Sequence, residues 1–196
     1  MQKIVHYLTR GNKKLDKSVV GWSLPPIKSC LNCSSCQKTC YAMKAYRLYP
    51  DCRKAWDRNL DIATTGAFKP LLIKQLSTIK MVSTVRIHVS GDFISQDYIN
   101  NWCEIIKTYP KLQFYTYTKV MHLFDFTALK SLDNMNLINS IADDGKINYG
   151  DATRITELET MGYQVCPATL TKNNTVKCGK DCTLCHTYNK VCFYLH

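Results

Sequence analysis

"TVRIHVSGDFISQDYINNWCEIIKTYPKLQFYTYTK", residues 84–119, decides how this chain folds. "TVRIHVS" (84–90) is short, β-branched and strand-like, and "LQFYTYT" (112–118) repeats that character with aromatic residues. Between them "SQDYINNWCEIIKTY" (95–109) spaces its apolar residues as a helix does, with Ser95 in place to cap it. Strand, helix and strand in that order form a βα unit, which pairs its strands in parallel and lays the helix over one face.

The same grammar extends in both directions. Downstream, "DFTALKSL" (125–132) reads as a short helix, "NLINSIA" (136–142) as a strand, "DATRITELETMG" (151–162) as a helix and "YQVCPA" (163–168) as a further strand. Strand starts recur roughly every 25 residues. Upstream, "SVVGWSLP" (18–25) reads as the first strand, ended by Pro25 and Pro26, and "YAMKAYRLY" (41–49) as a helix. A longer amphipathic stretch, residues 53–79, is expected to break or kink near Gly66 and Pro70. The expected fold is therefore α/β, a single domain over residues 1–196 built of βα units around a parallel sheet or an incomplete (β/α) barrel.

Composition agrees with one folded unit. A chain of 196 residues with 45% apolar content can bury a substantial core, but has no room for two ordinary domains. The opening "MQKIVHYLTR" lacks the apolar centre of a secretory signal, and no run approaches a membrane span. The expectation is a cytoplasmic protein with no membrane partner.

That compartment changes the reading of eleven cysteines. In a reducing cytosol, thiols at short spacing point to metal ligation or redox chemistry before disulfides. Cys30, Cys33, Cys36 and Cys40 form one group in a loop over residues 28–41. Their C-x2-C-x2-C-x3-C spacing matches a ferredoxin run, and such short spacers let thiolates wrap a [4Fe-4S] cluster. Zinc is the alternative metal, since four cysteines also satisfy its tetrahedral preference. Cys166, Cys178, Cys182 and Cys185 form a second group within a cysteine-rich segment, residues 166–192, read as a separate centre. His186 beside Cys185 reads as a supporting or surface residue, and the isolated Cys52 and Cys103 as small buried hydrophobes.

In parallel α/β folds the chemistry gathers at the carboxyl ends of strands. Those positions hold the first cysteine loop, then His88, Ser90, Gly91 and Asp92, then Tyr117, Thr118 and Lys119. Next come Ser140, Asp143 and Asp144, and finally Cys166 and Thr169. Aspartates beside glycines also serve as caps and turn residues, so Asp92 and Asp144 carry both readings. Lys119, ending an aromatic strand, is read as a functional cation.

Charge adds a second line. The net charge is +11, and residues 1–58 hold twelve basic against three acidic residues. Lys28, Lys38, Lys44, Arg47, Arg53, Lys54 and Arg58 are interleaved with Tyr41, Tyr46, Tyr49 and Trp56, a pattern suited to a phosphate backbone with exposed bases. The same cations also balance an anionic cluster or form a solvated helix face. No phosphate-cradling glycine loop, zinc-protease helix or nucleophile elbow occurs.

Several stretches together, "GNKKLDKS" (11–18), "GWSLPPIKSC" (21–30), "CYAMKAYRLYPDCRKAWDRN" (40–59), "VRIHVSGDFISQDYINNW" (85–102), "FYTYTK" (114–119) and "CPAT…CGKDCTLCH" (166–186), resemble the phage family known as gene product 88. The likeness covers nearly the whole chain and implies a protein working in the infected host cell.

More distantly, the order of first strand, cysteine loop, helix and a strand ending in "SGD" resembles the radical S-adenosylmethionine superfamily, in particular a phage-associated branch. That resemblance implies an active cluster on Cys33, Cys36 and Cys40 or on Cys30, Cys36 and Cys40. It implies S-adenosylmethionine against Ser90, Gly91 and Asp92, with an auxiliary cluster on the C-terminal cysteines. This sequence departs from the superfamily: C-x3-C-x2-C occurs only in the C-terminal group, and Gly-Gly-Glu is only approximated. Two functions are carried forward: an iron–sulfur protein with two [4Fe-4S] centres in redox or radical chemistry, with nucleic acid as a candidate substrate, and a zinc-stabilised, basic nucleic-acid-binding protein without catalysis.

Overall fold

Two short strands near the N-terminus begin the chain: β1 (Thr9–Arg10) and β2 (Val19–Gly21). Three helices follow, α1 (Tyr41–Leu48), α2 (Pro50–Ala63) and α3 (Phe68–Thr78). Then come β3 (Thr84–Ile87), α4 (Gln96–Thr108), β4 (Gln113–Thr118), α5 (Thr127–Lys130) and β5 (Met135–Asn139). Near the C-terminus lie β6 (Gln164–Val165), α6 (Leu184–Thr187) and β7 (Val191–Cys192). The structure, a computed structural model, describes residues 6–10, 15–33, 37, 40–139, 156, 159–160, 162, 164–165, 180–188 and 191–192.

Strands β1 to β5 form one sheet in sequence order. Pairing is parallel from β2 through β5 and antiparallel only at the β1 edge. The sheet is thus mixed, and among the described residues it is open. The strand expected at 163–168 does not extend it; Gln164 and Val165 pair instead with Val191 and Cys192 in a two-stranded sheet. The helix expected at 151–162 falls largely outside the described residues.

Local rules account for the helix ends. Ser95 caps α4, its hydroxyl accepting from the Tyr98 amide at 3.2 Å. Pro50 starts α2, where its missing N–H costs nothing. The stretch expected to break near Gly66 does so between Ala63 and Phe68, and Pro70 is accommodated in the first turn of α3.

One face of the sheet carries the core. Val20, Trp22, Val85, Ile87, Phe114, Met135 and Leu137 point toward α3, α4 and α5, among Phe68, Leu72, Tyr98, Trp102 and Ile105. At its centre the Phe68 ring stands 5.2 Å from Trp22, 4.9 Å from Tyr98 and 5.3 Å from Trp102. Tilted and edge-on contacts of this kind add to the area they bury. Two buried amides tie the edge strand's approach to this core: Gln75 Oε1 accepts from the Tyr7 and Leu8 amides, and Asn59 Nδ2 donates to Tyr7 O and Ser23 O.

The alternate residues face the other way. The pairing register aligns Gly21, Arg86, Tyr115 and Asn136 in one row across four strands. This second face is polar, and α6 packs against it over β4 and β5.

Candidate functional site

The carboxyl edge of the sheet is built by extending the strands beyond their regular ends. Trp22 N donates to Arg86 O at 3.0 Å, Val89 N to Trp22 O at 2.9 Å and Leu24 N to Ser90 O at 2.9 Å. The segment leading to the first cysteines is thereby stitched to the "HVSGD" segment. Pro25 and Pro26 then turn the chain, and Ile27 adopts a φ of 69°, a strained setting for a β-branched residue. Ser29 is fully buried and donates from its hydroxyl to Pro25 O at 2.7 Å.

His88 also has positive φ, 58°. Strand alternation would send its ring to the polar face; the left-handed turn swings it into the core, edge-on to Phe93 at 4.6 Å. Its Nε2 lies 3.0 Å from the Tyr98 hydroxyl, which accepts from Trp22 Nε1 at 2.7 Å. His88 Nε2 and the Tyr98 hydroxyl thus share one hydrogen bond, and the other ring nitrogen, Nδ1, is buried without a partner among the described residues. Burial pushes the His88 pKa down to about 3, so the ring is neutral.

Gly91 follows with φ of 84°. A Cβ there would stand 2.5 Å from Ser29 Oγ and 2.6 Å from Leu24 Cβ. Glycine is required both by its backbone angle and by the close approach of the two loops. Ser90 is buried with its hydroxyl unpartnered among the described residues.

Asp92 is the knot of the edge. Its Oδ1 accepts from the Phe93 amide at 2.8 Å and the Thr118 hydroxyl at 2.7 Å, and its Oδ2 from the Lys119 amide at 2.9 Å. Burial pushes the carboxyl pKa up, against these three donors that pull it down. Three of the four acceptor positions of the carboxylate are thus used inside the protein. Lys119 passes the link onward, its carbonyl accepting from Asn32 Nδ2 at 3.2 Å. The cysteine loop, β3 and β4 are joined through one buried acid.

The edge brings several expected residues into one neighbourhood. Cys30 is half-buried, and burial, followed by the charges of Cys33, Asp92 and Cys40, pushes its thiol up to about 12. Cys33 and Cys40 are half-buried as well. No three His, Cys, Asp or Glu among the described residues converge closely enough to hold a metal ion. Cys36, Lys38, Ser140, Asp143, Asp144, Cys166, Thr169 and Cys178 lie outside the described residues, so neither four-cysteine group is described whole.

Of the second group, Cys182 and Cys185 are described, and α6 carries Cys185 onto the polar face of the sheet. Asn136 Nδ2 donates to Cys185 O at 2.8 Å and to Tyr188 O at 2.9 Å, and Gln113 Nε2 to His186 O at 3.4 Å. The Tyr117 hydroxyl donates to Cys185 Sγ at 2.5 Å, and the His186 ring lies 5.3 Å from that of Tyr115. His186 is thus a half-buried packing residue, its pKa lowered by burial. Cys103 is buried in the core and Cys52 half-buried on α2, as expected of isolated thiols.

Sequence reasoning missed Arg86, Asn136 and the His88–Tyr98–Trp22 chain. Alternation along β3, β4 and β5 was the available signal, since it sets Arg86, Tyr115, Tyr117 and Asn136 on one face.

Outside the sheet, α1 and α2 present the basic residues. Lys44, Arg47, Arg53 and Lys54 are exposed together with Tyr41 and Tyr49. A cleft of about 380 Å³ beside the cysteine loop is lined by Ile27, Cys40, Met43, Lys44, Arg47 and Leu48. Lys28 pairs at the surface with Asp57 at 3.1 Å, and Tyr46 donates to the same carboxylate at 2.7 Å.

These features define an α/β protein with an open, mostly parallel sheet, whose carboxyl edge gathers cysteines and a hydrogen-bonded aspartate. Residues 6–165 match the family described as gene product 88, and the chain belongs to that family. It is similar to the gene 88 protein of Mycobacterium phage L5, 30% identical over 123 residues that make up 56% of this chain and 50% of that one. The gene 88 protein of Mycobacterium phage D29 is 28% identical over 123 residues, with the same shares. The chain spans about half the length of these relatives. No solved structure matches it. Among the described residues, no helix is long and apolar enough to cross a membrane.

Proposed function

We propose that this is a phage iron–sulfur protein of radical S-adenosylmethionine-like architecture, working in the cytoplasm of the infected cell in redox or radical chemistry. Cys30, Cys33, Cys36 and Cys40 would hold one [4Fe-4S] centre, and Cys166, Cys178, Cys182 and Cys185 a second. The observation that carries the reading is the shared electrostatic neighbourhood of Cys30, Cys33, Cys40 and Asp92 at the carboxyl edge. Burial and these neighbours disfavour a free thiolate at Cys30, and a bound metal centre would stabilise it instead.

The chain's own residues would divide the remaining work. Asp92 fixes the cysteine loop through Lys119 and Asn32, and keeps one acceptor position on Oδ2 for a donor such as the amine of S-adenosylmethionine. Gly91 admits close backbone approach, and the buried Ser90 hydroxyl supplies an unused polar group beside it. When bound, a reduced four-iron centre supplies single electrons. Lys119 would contribute charge at the same rim.

The exposed basic and aromatic residues of α1 and α2 support a second reading, a zinc-stabilised nucleic-acid-binding protein without catalysis. The cleft lined by Lys44 and Arg47 suits a phosphate group there.

Iron, zinc and acid-labile sulfide per chain, measured on protein prepared without oxygen, separate the two. About eight irons and eight sulfides are expected for two four-iron centres. One or two zincs without sulfide would overturn the first reading and favour the second, which in turn requires salt-dependent binding of single-stranded DNA that weakens in Lys44→Gln/Arg47→Gln.

A further inference from the structure

Helix α1 buries Ala42 against the domain and turns Tyr41, Lys44, Arg47 and Leu48 outward on one side. Tyr41, Leu48 and the following Tyr49 are 61%, 59% and 62% exposed. Between Tyr41 and Lys54 four exposed cations, Lys44, Arg47, Arg53 and Lys54, stand against one acid, Asp51. Neither Lys44 nor Arg47 forms an ion pair among the described residues.

A merely solvated helix face sets polar residues between its charges. This one sets two rings and a leucine there, beside the cleft of about 380 Å³ to which Ile27 and Met43 add further apolar surface. The Tyr41 ring is not loose, because its hydroxyl donates to Val89 O in the "HVSGD" segment. A ring fixed before binding loses little freedom when a flat partner covers it. Tyr49 follows at the other end of α1, about 12 Å along the helix from Tyr41, with Lys44 and Arg47 between them.

We infer that this face of α1 binds a single-stranded nucleic acid, with Lys44 and Arg47 on its phosphates and two of its bases stacked on Tyr41 and Tyr49. The inference rests on the nucleic-acid reading above and adds to it the path of the strand and its single-strandedness. A single strand offers phosphates and open base faces together, which is what cations interleaved with exposed rings can use. A duplex keeps its base faces inside the stack, and an acidic peptide has no flat group for either ring. Because Tyr41 is tied to Val89, the strand passes beside the carboxyl edge that holds Cys30 and Asp92.

The test uses the full chain prepared without oxygen and a short fluorescent oligothymidylate, with anisotropy followed over a range of salt. The wild type binds it with an affinity that falls as salt rises, and binds a duplex of the same length about tenfold more weakly or worse. Tyr41→Leu and Tyr49→Leu each weaken binding about tenfold, with the salt slope unchanged, since a lost ring costs stacking and releases no counterion. Lys44→Gln/Arg47→Gln instead flattens the slope by about 1.4, the share of two phosphate contacts on a single strand. Oligothymidylate carrying 5-bromouracil, irradiated with the wild type, crosslinks to Tyr41 or Tyr49.

No binding even at low salt sinks the nucleic-acid reading and the inference with it. Binding that is undiminished in either tyrosine variant, or that the duplex matches, overturns the inference alone and leaves that reading standing. Equal displacement of the oligonucleotide by oligoglutamate also overturns it, by making the face a general surface for anions. Crosslinks that map away from α1 do the same, and that measurement needs no variant that must fold.

Discussion

The two faces of the sheet are held by different physics. On the face covered by α3, α4 and α5, rings and aliphatic side chains interlock around a few polar groups: Gln75 Oε1 and Asn59 Nδ2 hold backbone partners, while Asn59 Oδ1, Trp102 Nε1 and His88 Nδ1 are buried without one among the described residues. On the opposite face a few hydrogen bonds from Asn136, Gln113 and Tyr117 hold a four-residue helix over β4 and β5, beside an arginine whose Nε is buried without an acceptor among the described residues. The first face supplies stability and tolerates no gap. The second is assembled from individually replaceable contacts, which suits binding, since a ligand competes only with a few hydrogen bonds.

Trp102→Ala tests the first half of that contrast most severely. Fully buried between Phe68, Trp22 and Tyr98, the indole leaves a cavity that α4 cannot close, and a loss of about 3–5 kcal/mol is expected in denaturant unfolding. Aromatic deletion on the polar face, Tyr115→Ala, should cost clearly less; equal losses would erase the distinction between the faces.

Gly91→Ala comes next and probes the edge where the faces meet. The added methyl meets Ser29 and Leu24 within 2.6 Å and forces a left-handed backbone angle on alanine. We expect a loss of roughly 2–4 kcal/mol, with the first cysteine loop becoming more reactive to alkylating reagents than Cys103. Unchanged reactivity would mean the loop does not depend on its seat against Leu24 and Ser29.

The contrast also explains what could be read from the sequence. Hydrophobic periodicity specified the helix-covered face: α4 with its Ser95 cap, β3, β4, β5 and the break before Phe68 all lie within a few residues of expectation. The edge was legible in part, because strands that end in "SGD" and "TK" must deliver those residues to one side of a parallel sheet. The polar face was not, because it depends on contacts distant in sequence, Asn136 with Cys185 and Tyr188 above all. The inward turn of His88 was not legible either, since it depends on that residue's own left-handed backbone angle, which no pattern announces. The expected fifth parallel strand failed because Gln164 and Val165 found their partner in Val191 and Cys192, a pairing set by the chain's last residues.

His88 offers a smaller effect with a definite sign. Its folded pKa lies near 3 against an ordinary 6.5, so the unfolded chain takes up a proton in that interval while the folded chain does not. Stability is complete above pH 6.5 and falls as pH drops through the window toward 3, by about 2 kcal/mol at pH 5. Asp92 acts in the opposite sense in its own lower range, since its folded pKa is raised. Comparing the wild type with His88→Gln isolates the histidine: the variant should lose the slope between pH 6.5 and 5. An identical slope in both would show that the ring is not held neutral inside the core.

Asn136→Ala sharpens the comparison at its least costly point. The side chain lies next to Tyr115 in the polar row, and its amide is the only group there that grips α6 twice, at Cys185 O and Tyr188 O among the described residues. Removing it takes away two neutral hydrogen bonds at a partly exposed position, a cost of about 1–2 kcal/mol. The core on the far side of the sheet is untouched, so that cost should appear as local opening of the C-terminal segment, with little change in the unfolding midpoint of the whole chain. Cys185 would then be alkylated several-fold faster while Cys103 keeps its wild-type rate. If both thiols sped up together, α6 would be part of the cooperative core, and the polar face would have to be counted as structure first and binding surface second.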